Sequence, residues 1–233
     1  MKIEFAAAAG SAEILAVPVH EDRVLAGAAP GLDQTAGGAL TKALSKSRMT
    51  GKSGQSLAVA APAGVEADSV LLVGAGAADK RDDLAVEAFG ANAYAAAKMS
   101  GAEVLTLDAS DLTPEQAARA AFAASLAAYR FDKYRTTEKA DKKPSIKTVR
   151  VVTSDIRAAD AAYEALSPVA DGVMFARDLV SEPANVLYPA EFARRVKDLE
   201  RLGLQVEILG EAEMETLGMN TLLAVGQGSR RES

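Results

Sequence analysis

Residues 69–74 (SVLLVG) constrain the fold more than any other stretch of the sequence. An apolar run without polar alternation is typical of a strand that is buried on both faces of a sheet. An alanine-rich helical segment over 82–99, a strand over 103–107, a helix that Thr113 can cap and a strand over 146–152 follow it. This alternation predicts an α/β domain with three layers.

The residues before this run predict shorter elements. Strands are expected over 2–6 and 14–17, with a turn at Gly10-Ser11 between them. A helix is expected over 30–44, although Gly37-Gly38 weakens it. We expect antiparallel elements in this part of the chain, so the sheet is predicted to be mixed.

The remaining residues predict a long helix and then a second unit. Apolar positions over 157–181 recur at spacings of three and four, as in one amphipathic helix that Ser167-Pro168 kinks or restarts. A helix from Tyr188-Pro189 to Gly203, a strand over 204–208 and a short acidic helix over 211–217 are expected next. A last apolar run, 222–226, precedes a polar end. We therefore divide the chain into an N-terminal α/β domain over 1–155, a connecting helix over 156–182, and the start of a second α/β domain over 183–233.

Composition excludes several classes of function. Acidic residues outnumber basic ones by 32 to 26, and the net charge of −6 makes nucleic acid an unlikely partner. The chain has no cysteine, which removes disulfides, thiolate nucleophiles and iron–sulfur clusters. The single histidine, His20, excludes a motif of two histidines on a metal, and a Ser-His-Asp triad would depend on it alone. We interpret His20 as an ordinary structural or surface histidine. No signal peptide and no membrane span are expected.

Three stretches suggest ligand binding, and each has a simpler interpretation. Residues 50–55 (TGKSGQ) look like part of a phosphate loop, but the upstream glycine of that motif is missing, so we predict a polar hairpin connection. Residues 74–79 keep the first two glycines of the dinucleotide fingerprint and have Asp79 at the third, so we predict a structural turn, with cofactor binding as the alternative. A loop with Lys139, Lys142 and Lys143 is interpreted as solvated, with a basic binding patch as the alternative.

The aromatic cluster over 129–134 (YRFDKY) interleaves aromatic rings with charges. It could dock against the neighbouring strand or against a partner subunit.

Several short runs near the end of the chain form a recognisable set: Ala176-Arg177-Asp178-Leu179, Glu182-Pro183-Ala184-Asn185, Tyr188-Pro189, Leu217-Gly218-Met219 and 222–229 (LLAVGQGS). This set resembles the cytosolic leucine aminopeptidase family. The runs 51–55, 70–74 and 129–134 stand where the N-terminal domain of that family would have them. The resemblance covers most of the chain and is most specific over 176–229.

The resemblance implies a macrodomain-like N-terminal α/β domain, a connecting helix, and a peptidase domain that is truncated at Ser233. For a complete family member it implies two divalent metal ions, Mn or Zn, which polarise the scissile carbonyl of a peptide substrate and activate a bridging water. It also implies a cytoplasmic homo-oligomer, a hexamer in the family.

The chain differs from complete members of the family because it lacks their metal-binding and catalytic motifs. The two later motifs that hold the metals and the catalytic lysine and arginine, Val-Gly-Lys-Gly-x-x-Phe-Asp-x-Gly-Gly and Asn-Thr-Asp-Ala-Glu-Gly-Arg, are absent. We therefore assign no catalytic, cofactor-binding or metal-binding residue and predict that residues 1–233 are inactive alone. Arg177, Glu182 and Asn185 are interpreted as fixing the interdomain turn, with substrate contact as the alternative. Two other functions remain open for the N-terminal domain: nucleotide or ADP-ribose binding, and assembly or regulation.

Overall fold

The computed structural model describes all residues from Met1 to Ser233. The chain forms two compact units, Met1–Met174 and Phe175–Ser233, and each is described by itself. None of the helices combines the length and the apolar character that crossing a membrane requires.

The first unit is built on one seven-stranded sheet. Its strand order is β1-β7-β6-β2-β5-β4, and the short β3 pairs with β2. The strands are β1 Lys2–Ala6, β2 Ala12–His20, β3 Val24–Leu25, β4 Ser56–Ala60, β5 Ala67–Gly76, β6 Val104–Asp108 and β7 Thr148–Val152.

The sheet is mixed, as predicted. The neighbours β1 and β7, β7 and β6, β6 and β2, and β2 and β5 are parallel, whereas β4 is antiparallel to β5 and β3 to β2. The apolar run 69–74 lies in β5 between β2 and β4, which explains its lack of polar alternation. The strand expected over 14–17 is part of the longer β2, Ala12–His20. This strand pairs with β5 on one side and with β6 on the other, and this pairing extends it beyond the predicted bounds.

Helices cover both faces of the sheet and give the predicted three layers. One core cluster joins the sheet to α1 (Ala29–Thr35) and α2 (Ala39–Lys46) through residues such as Leu40 and Leu44. The other joins it to α3 (Asp83–Ala97) and α4 (Pro114–Ala127) through residues such as Phe89. The expected single helix over 30–44 is two helices, because Gly37 and Gly38 have φ of 62° and 83°, in the left-handed region.

The long helix α5, Ile156–Ser181, is continuous through Pro168, so the expected restart does not occur. A proline inside a helix removes one hydrogen bond, but burial of the helix on both sides of it can outweigh that cost. Ala159 and Ala170 are both buried, and Tyr163 packs edge-on against Phe5 of β1 at a ring distance of 6.0 Å. Packing therefore keeps α5 continuous at Pro168, where the sequence predicts a kink or a restart.

The second unit is helical, with α6 Pro189–Lys197, α7 Glu211–Thr216 and α8 Asn220–Gly226. A 3-10 helix, Asp198–Leu202, extends α6 and ends at Gly203, as predicted. Gly203 itself has the left-handed conformation. The strand predicted over 204–208 is wrong: these residues form no ladder. A strand needs a partner for its peptide groups, and residues 175–233 contain no other strand. The apolar run 222–226 belongs to α8.

Candidate functional site

The carboxyl ends of β2, β5 and β6 meet at one edge of the sheet and border a small cavity that is open to solvent. The helices after β2 and the helix after β6 lie on opposite faces, and ligands of open α/β sheets bind where connections diverge in this way. The cavity is lined by Pro18, His20, Ala75, Arg81, Ala85, Val86, Phe89, Asp108, Asp111 and Leu112.

His20 ends β2 and is only 5% exposed. Its Nδ1 lies 3.1 Å from the carbonyl oxygen of Gly76, and its Nε2 lies 3.1 Å from Nη2 of Arg81. Because a carbonyl can only accept and a guanidinium can only donate, we assign the ring proton to Nδ1 and the free lone pair to Nε2. Both ring nitrogens are thus used within the domain.

Arg81 connects His20 to Asp111. Its Nη1 lies 2.9 Å from the carboxylate Oδ2 of Asp111 and donates to the carbonyl oxygen of the same residue at 3.0 Å. A serine nucleophile would have to occupy the position that Arg81 holds beside the imidazole, and no serine lines the cavity. This arrangement supports the structural interpretation of His20.

Asp108 fills the crevice between β6 and the start of α1. Its side chain is nearly fully buried and accepts hydrogen bonds from the amides of Ala28 at 2.6 Å and Ser110 at 3.2 Å. A Cβ atom on Gly27 would overlap the carboxylate. The backbone amide that an anionic ligand would use here is therefore already bonded to a carboxylate of the chain itself.

The two glycines over 74–79 have structural roles, Gly74 in packing and Gly76 in the conformation of the turn. A side chain at Gly74 would overlap the carbonyl oxygen of Lys52, and Gly76 has φ of 77°. The helix that follows, α3, starts only after a 3-10 turn, and the side chain of its N-cap, Asp82, accepts a hydrogen bond from the amide of Ala85 at 2.8 Å. This geometry favours the structural turn over the cofactor site.

Residues 50–55 lie against the ends of the strands. A Cβ atom on Gly51 would overlap the carbonyl of His20, while Gln55 Oε1 accepts from the amide of Thr50 at 2.8 Å. The segment joins α2 to β4, so the predicted hairpin connection is wrong. The β4–β5 turn lies further on, where Ala61 donates to Asp68. Close packing accounts for Gly51, and a left-handed backbone conformation with φ of 85° accounts for Gly54.

Among the candidate residues in the second unit, Glu182 has the clearest role. Its side chain is 2% exposed, and both terminal nitrogens of Arg195 on α6 lie 3.4 Å from its Oε1. The turn between α5 and α6 also contains hydrogen bonds from Val186 and Leu187 to the carbonyl oxygen of Pro183. Glu182 thus holds this turn against α6. Asn185 is exposed, and no contact given by the structure explains it.

Arg195 belongs to a larger ion-pair cluster on α6. Its Nε donates to Glu191 at 2.8 Å, and Arg194 contacts both Glu191 and Asp198. Hydrogen bonds from Arg194 and Arg195 lower the pKa of Glu191 from its ordinary value of 4.5 to about 2. Further along the chain, the guanidinium of Arg231 lies 3.6 Å from the ring centre of Tyr188.

The aromatic cluster 129–134 and the lysine loop lie after α4. Phe131 and Tyr134 pack edge to face at 5.7 Å, Lys133 lies over Tyr134, and Arg130 pairs with Glu138. The three lysines Lys139, Lys142 and Lys143 are exposed, which agrees with a solvated loop.

Sequence reasoning missed Arg81, Asp108 and Asp111. Arg81 stands 61 positions after His20, and only the pairing of β2 with β5 and the turn into α3 bring the two together. The sequence contains one weak indication that Asp108 belongs to a site, since it is a charged residue at the end of an apolar strand.

The side chains do not form a metal centre. No three His, Cys, Asp or Glu residues are grouped where they could hold a metal ion.

Comparisons with known proteins agree with this fold. The family model described as "Cytosol aminopeptidase family, N-terminal domain" matches residues 16–138, and the one described as "Cytosol aminopeptidase family, catalytic domain" matches residues 174–233. A protein of Caulobacter vibrioides named "Probable cytosol aminopeptidase" is 52% identical over 236 residues, which cover 100% of this chain and 48% of that one. A protein of the same name from Sinorhizobium medicae is 46% identical over 200 residues, covering 82% and 40%.

Two solved structures are similar. A mutant of tomato leucine aminopeptidase has a TM-score of 0.75 at 24% identity, over 94% of this chain and 46% of that one, and shows the fold alone. The bottromycin maturation enzyme BotP in complex with Mn has a TM-score of 0.67 at 27% identity, over 95% and 43%. The chain spans about half the length of the curated relatives it matches.

An α/β unit that matches an N-terminal family model, followed by residues that match the catalytic-domain model of the same family, relates the chain to one class of peptidases. The chain belongs to the cytosol aminopeptidase family.

Proposed function

We propose that these residues are the N-terminal half of a metallo-aminopeptidase that removes N-terminal amino acids from peptides. The single observation that carries the proposal is the 52% identity to the Caulobacter relative across the whole chain. In the complete protein two divalent ions, Mn or Zn, would polarise the scissile carbonyl and activate a water. One similar structure, BotP, was solved in complex with Mn.

We also propose that residues 1–233 carry none of this chemistry. No group of carboxylates and imidazoles here could hold a metal ion, and a dinuclear site needs several such ligands. We assign no catalytic, cofactor or metal residue to the chain. Its contribution would be to support and assemble the catalytic half.

A chimera tests both statements. Residues 1–233 would be joined to the matching C-terminal half of the Caulobacter relative, and the chimera, the chain alone and the full relative would be assayed with a leucine anilide in Mn²⁺ or Zn²⁺. We expect hydrolysis by the chimera and the relative, lost with a chelator, and none by the chain. Hydrolysis by the pure chain would refute its inactivity, and a chimera with native circular dichroism but no activity would refute the aminopeptidase proposal.

The finer organisation is proposed on the same basis. We propose a cytoplasmic homohexamer, because the relatives are named cytosol aminopeptidases and the resemblance implies that assembly. We propose domain bounds of 1–155, 156–182 and 183–233. Limited proteolysis tests these bounds: early cleavage is expected in 182–188, and a first cut inside 60–127 would contradict them.

A second candidate, nucleotide or ADP-ribose binding in the cavity beside His20, is favoured by its position at the carboxyl ends of the parallel strands. The bonds already made by His20, Arg81 and Asp108 count against it. Calorimetric titration with ADP-ribose would decide, and a flat isotherm would remove this candidate.

A further inference from the structure

The two edge strands of the sheet, β1 and β4, differ in how they are protected against pairing with another chain. The edge strand β1 carries Lys2 and Glu4, and Glu4 also pairs with Arg150 of the neighbouring β7. Charges on an edge strand oppose pairing with another chain. The other edge strand, β4, has the sequence SLAVA, without a charge or a proline. Only the β4 edge therefore has the composition of a strand that can accept a partner.

The outward peptide groups of β4 can be identified from its pairing with β5. Gly74 donates to the carbonyl of Gln55, and Ala61 donates to the carbonyl of Asp68, both at 2.8 Å. Because alternate residues of a strand point their peptide groups to opposite sides, the odd-numbered residues bond to β5. The peptide groups of Ser56, Ala58 and Ala60 therefore point away from the sheet. All three residues are exposed.

We propose that the β4 edge binds the β4 edge of a second copy of this chain, antiparallel, about a two-fold axis at Ala58. This surface is independent of the aminopeptidase proposal. The two sheets would join into one continuous sheet.

The geometry of β4 is self-complementary. In this register Ala58 lies opposite its own copy and Ser56 lies opposite Ala60, so three residue pairs exchange about six hydrogen bonds. Leu57 lies opposite Val59, and both are half-buried against the core that α1 and α2 cover. Small side chains on one face and apolar ones on the other permit close approach. A two-fold contact of this kind closes after two copies.

Charges at the two ends of β4 favour the same orientation. Lys52, which is exposed, precedes the strand. Glu66 and Asp68, also exposed, lie at the opposite end beside the β4–β5 turn. An antiparallel arrangement brings the basic end of each copy toward the acidic end of the other, whereas a parallel one would bring like ends together. The two ends of β4 are thus complementary in charge to those of an antiparallel second copy of the chain, which favours that copy as the occupant.

Because the chain has no cysteine, a single Ala58→Cys substitution tests the register directly. Directly opposed residues of a hydrogen-bonded pair have Cα atoms about 5.5 Å apart, within the range of a disulfide. We expect Ala58→Cys to form a covalent dimer under mild oxidation. Ala95→Cys, an exposed position on α3, is the matched control and should remain uncross-linked.

Light scattering of the unmodified chain and of two lysine variants completes the test. We expect a dimer or a larger even assembly for the unmodified chain and for Ala95→Lys. For Ala58→Lys, which places a charge on the β4 edge, we expect an association that is at least about ten-fold weaker. Circular dichroism checks that each variant is folded, and Ala58→Pro, which removes only an outward amide, provides a second block. A monomeric chain, an assembly unchanged by Ala58→Lys and Ala58→Pro, or no cross-link at position 58 would each overturn the proposal.

Discussion

Arg195 lies 3.4 Å from the buried carboxylate of Glu182, and this ion pair joins the turn after α5 to α6. The neighbouring Arg194, by contrast, is 59% exposed and makes its ion pairs at the surface. The two arginines are adjacent in sequence, but only one reaches a buried carboxylate. This difference provides a matched pair of substitutions.

We predict that Arg195→Met speeds amide hydrogen exchange in residues 182–188, because it removes a charged partner from a nearly fully buried carboxylate. Arg194→Met should leave exchange in this turn unchanged, since exposed ion pairs contribute little to stability. Hydrogen exchange with mass spectrometry measures both variants. Equal protection of the turn in the two would contradict the role given to Glu182.

The pH dependence of α6 follows from Glu191. The hydrogen bonds from Arg194 and Arg195 lower its pKa in the folded state from 4.5 to about 2. A lowered pKa contributes stability that is present above pH 4.5 and is lost as the pH falls toward 2. We predict that exchange protection of α6 is constant above pH 5 and decreases between about 4.5 and 2. Glu191→Gln should flatten this dependence, and an unchanged profile in that variant would refute it.

Gly90 is predicted to be indispensable to the packing of α3 on α4. A Cβ atom there would overlap the backbone carbonyl of Ala120, so Gly90→Ala should destabilise the domain by about 1–3 kcal/mol through overpacking. Gly172 in α5 meets nothing within 4 Å, and Gly172→Ala should be neutral or stabilising by up to about 1 kcal/mol. Urea unfolding compares the two variants. Equal free energies of unfolding would contradict the close helix contact.

The loop over 50–55 offers a similar comparison. Gly51 and Gly54 have φ of 91° and 85°, so alanine at either position should cost about 1–2 kcal/mol for the backbone alone. Only at Gly51 would the new methyl group also overlap the carbonyl of His20. We therefore predict a clearly lower melting temperature for Gly51→Ala than for Gly54→Ala. The reverse order would show that this loop does not pack on the end of β2 as described.

Local signals predicted several features of the chain well. The apolar run in β5, the capping box of Thr113 and Gln116 at the start of α4, and the stop at Gly203 depend on residues within a few positions of one another, and the structure has all three. The strand expected over 204–208 depended instead on a partner strand. Its alternating pattern is a necessary condition for a half-buried strand but supplies no partner.

The site beside His20 was unpredictable for the same reason. Nothing near His20 in sequence indicates Arg81 or Asp108, since each arrives from a different strand through the parallel pairing of β5 and β6 with β2. Pairing of parallel strands joins segments that are far apart in the chain, and no local periodicity encodes it. The role of His20 depends on the partners of its two ring nitrogens, Gly76 and Arg81, and both lie far from His20 in the sequence.

The sequence by itself determined that this chain is an α/β protein with a mixed sheet and that its motifs resemble the cytosol aminopeptidases, because periodicity, caps and short motifs are local properties. The tertiary structure decided which residues share the edge of the sheet, that Glu182 is held by Arg195, and that β4 is an uncharged edge. These facts depend on burial and on contacts between distant segments. Such contacts exist only once the chain has folded.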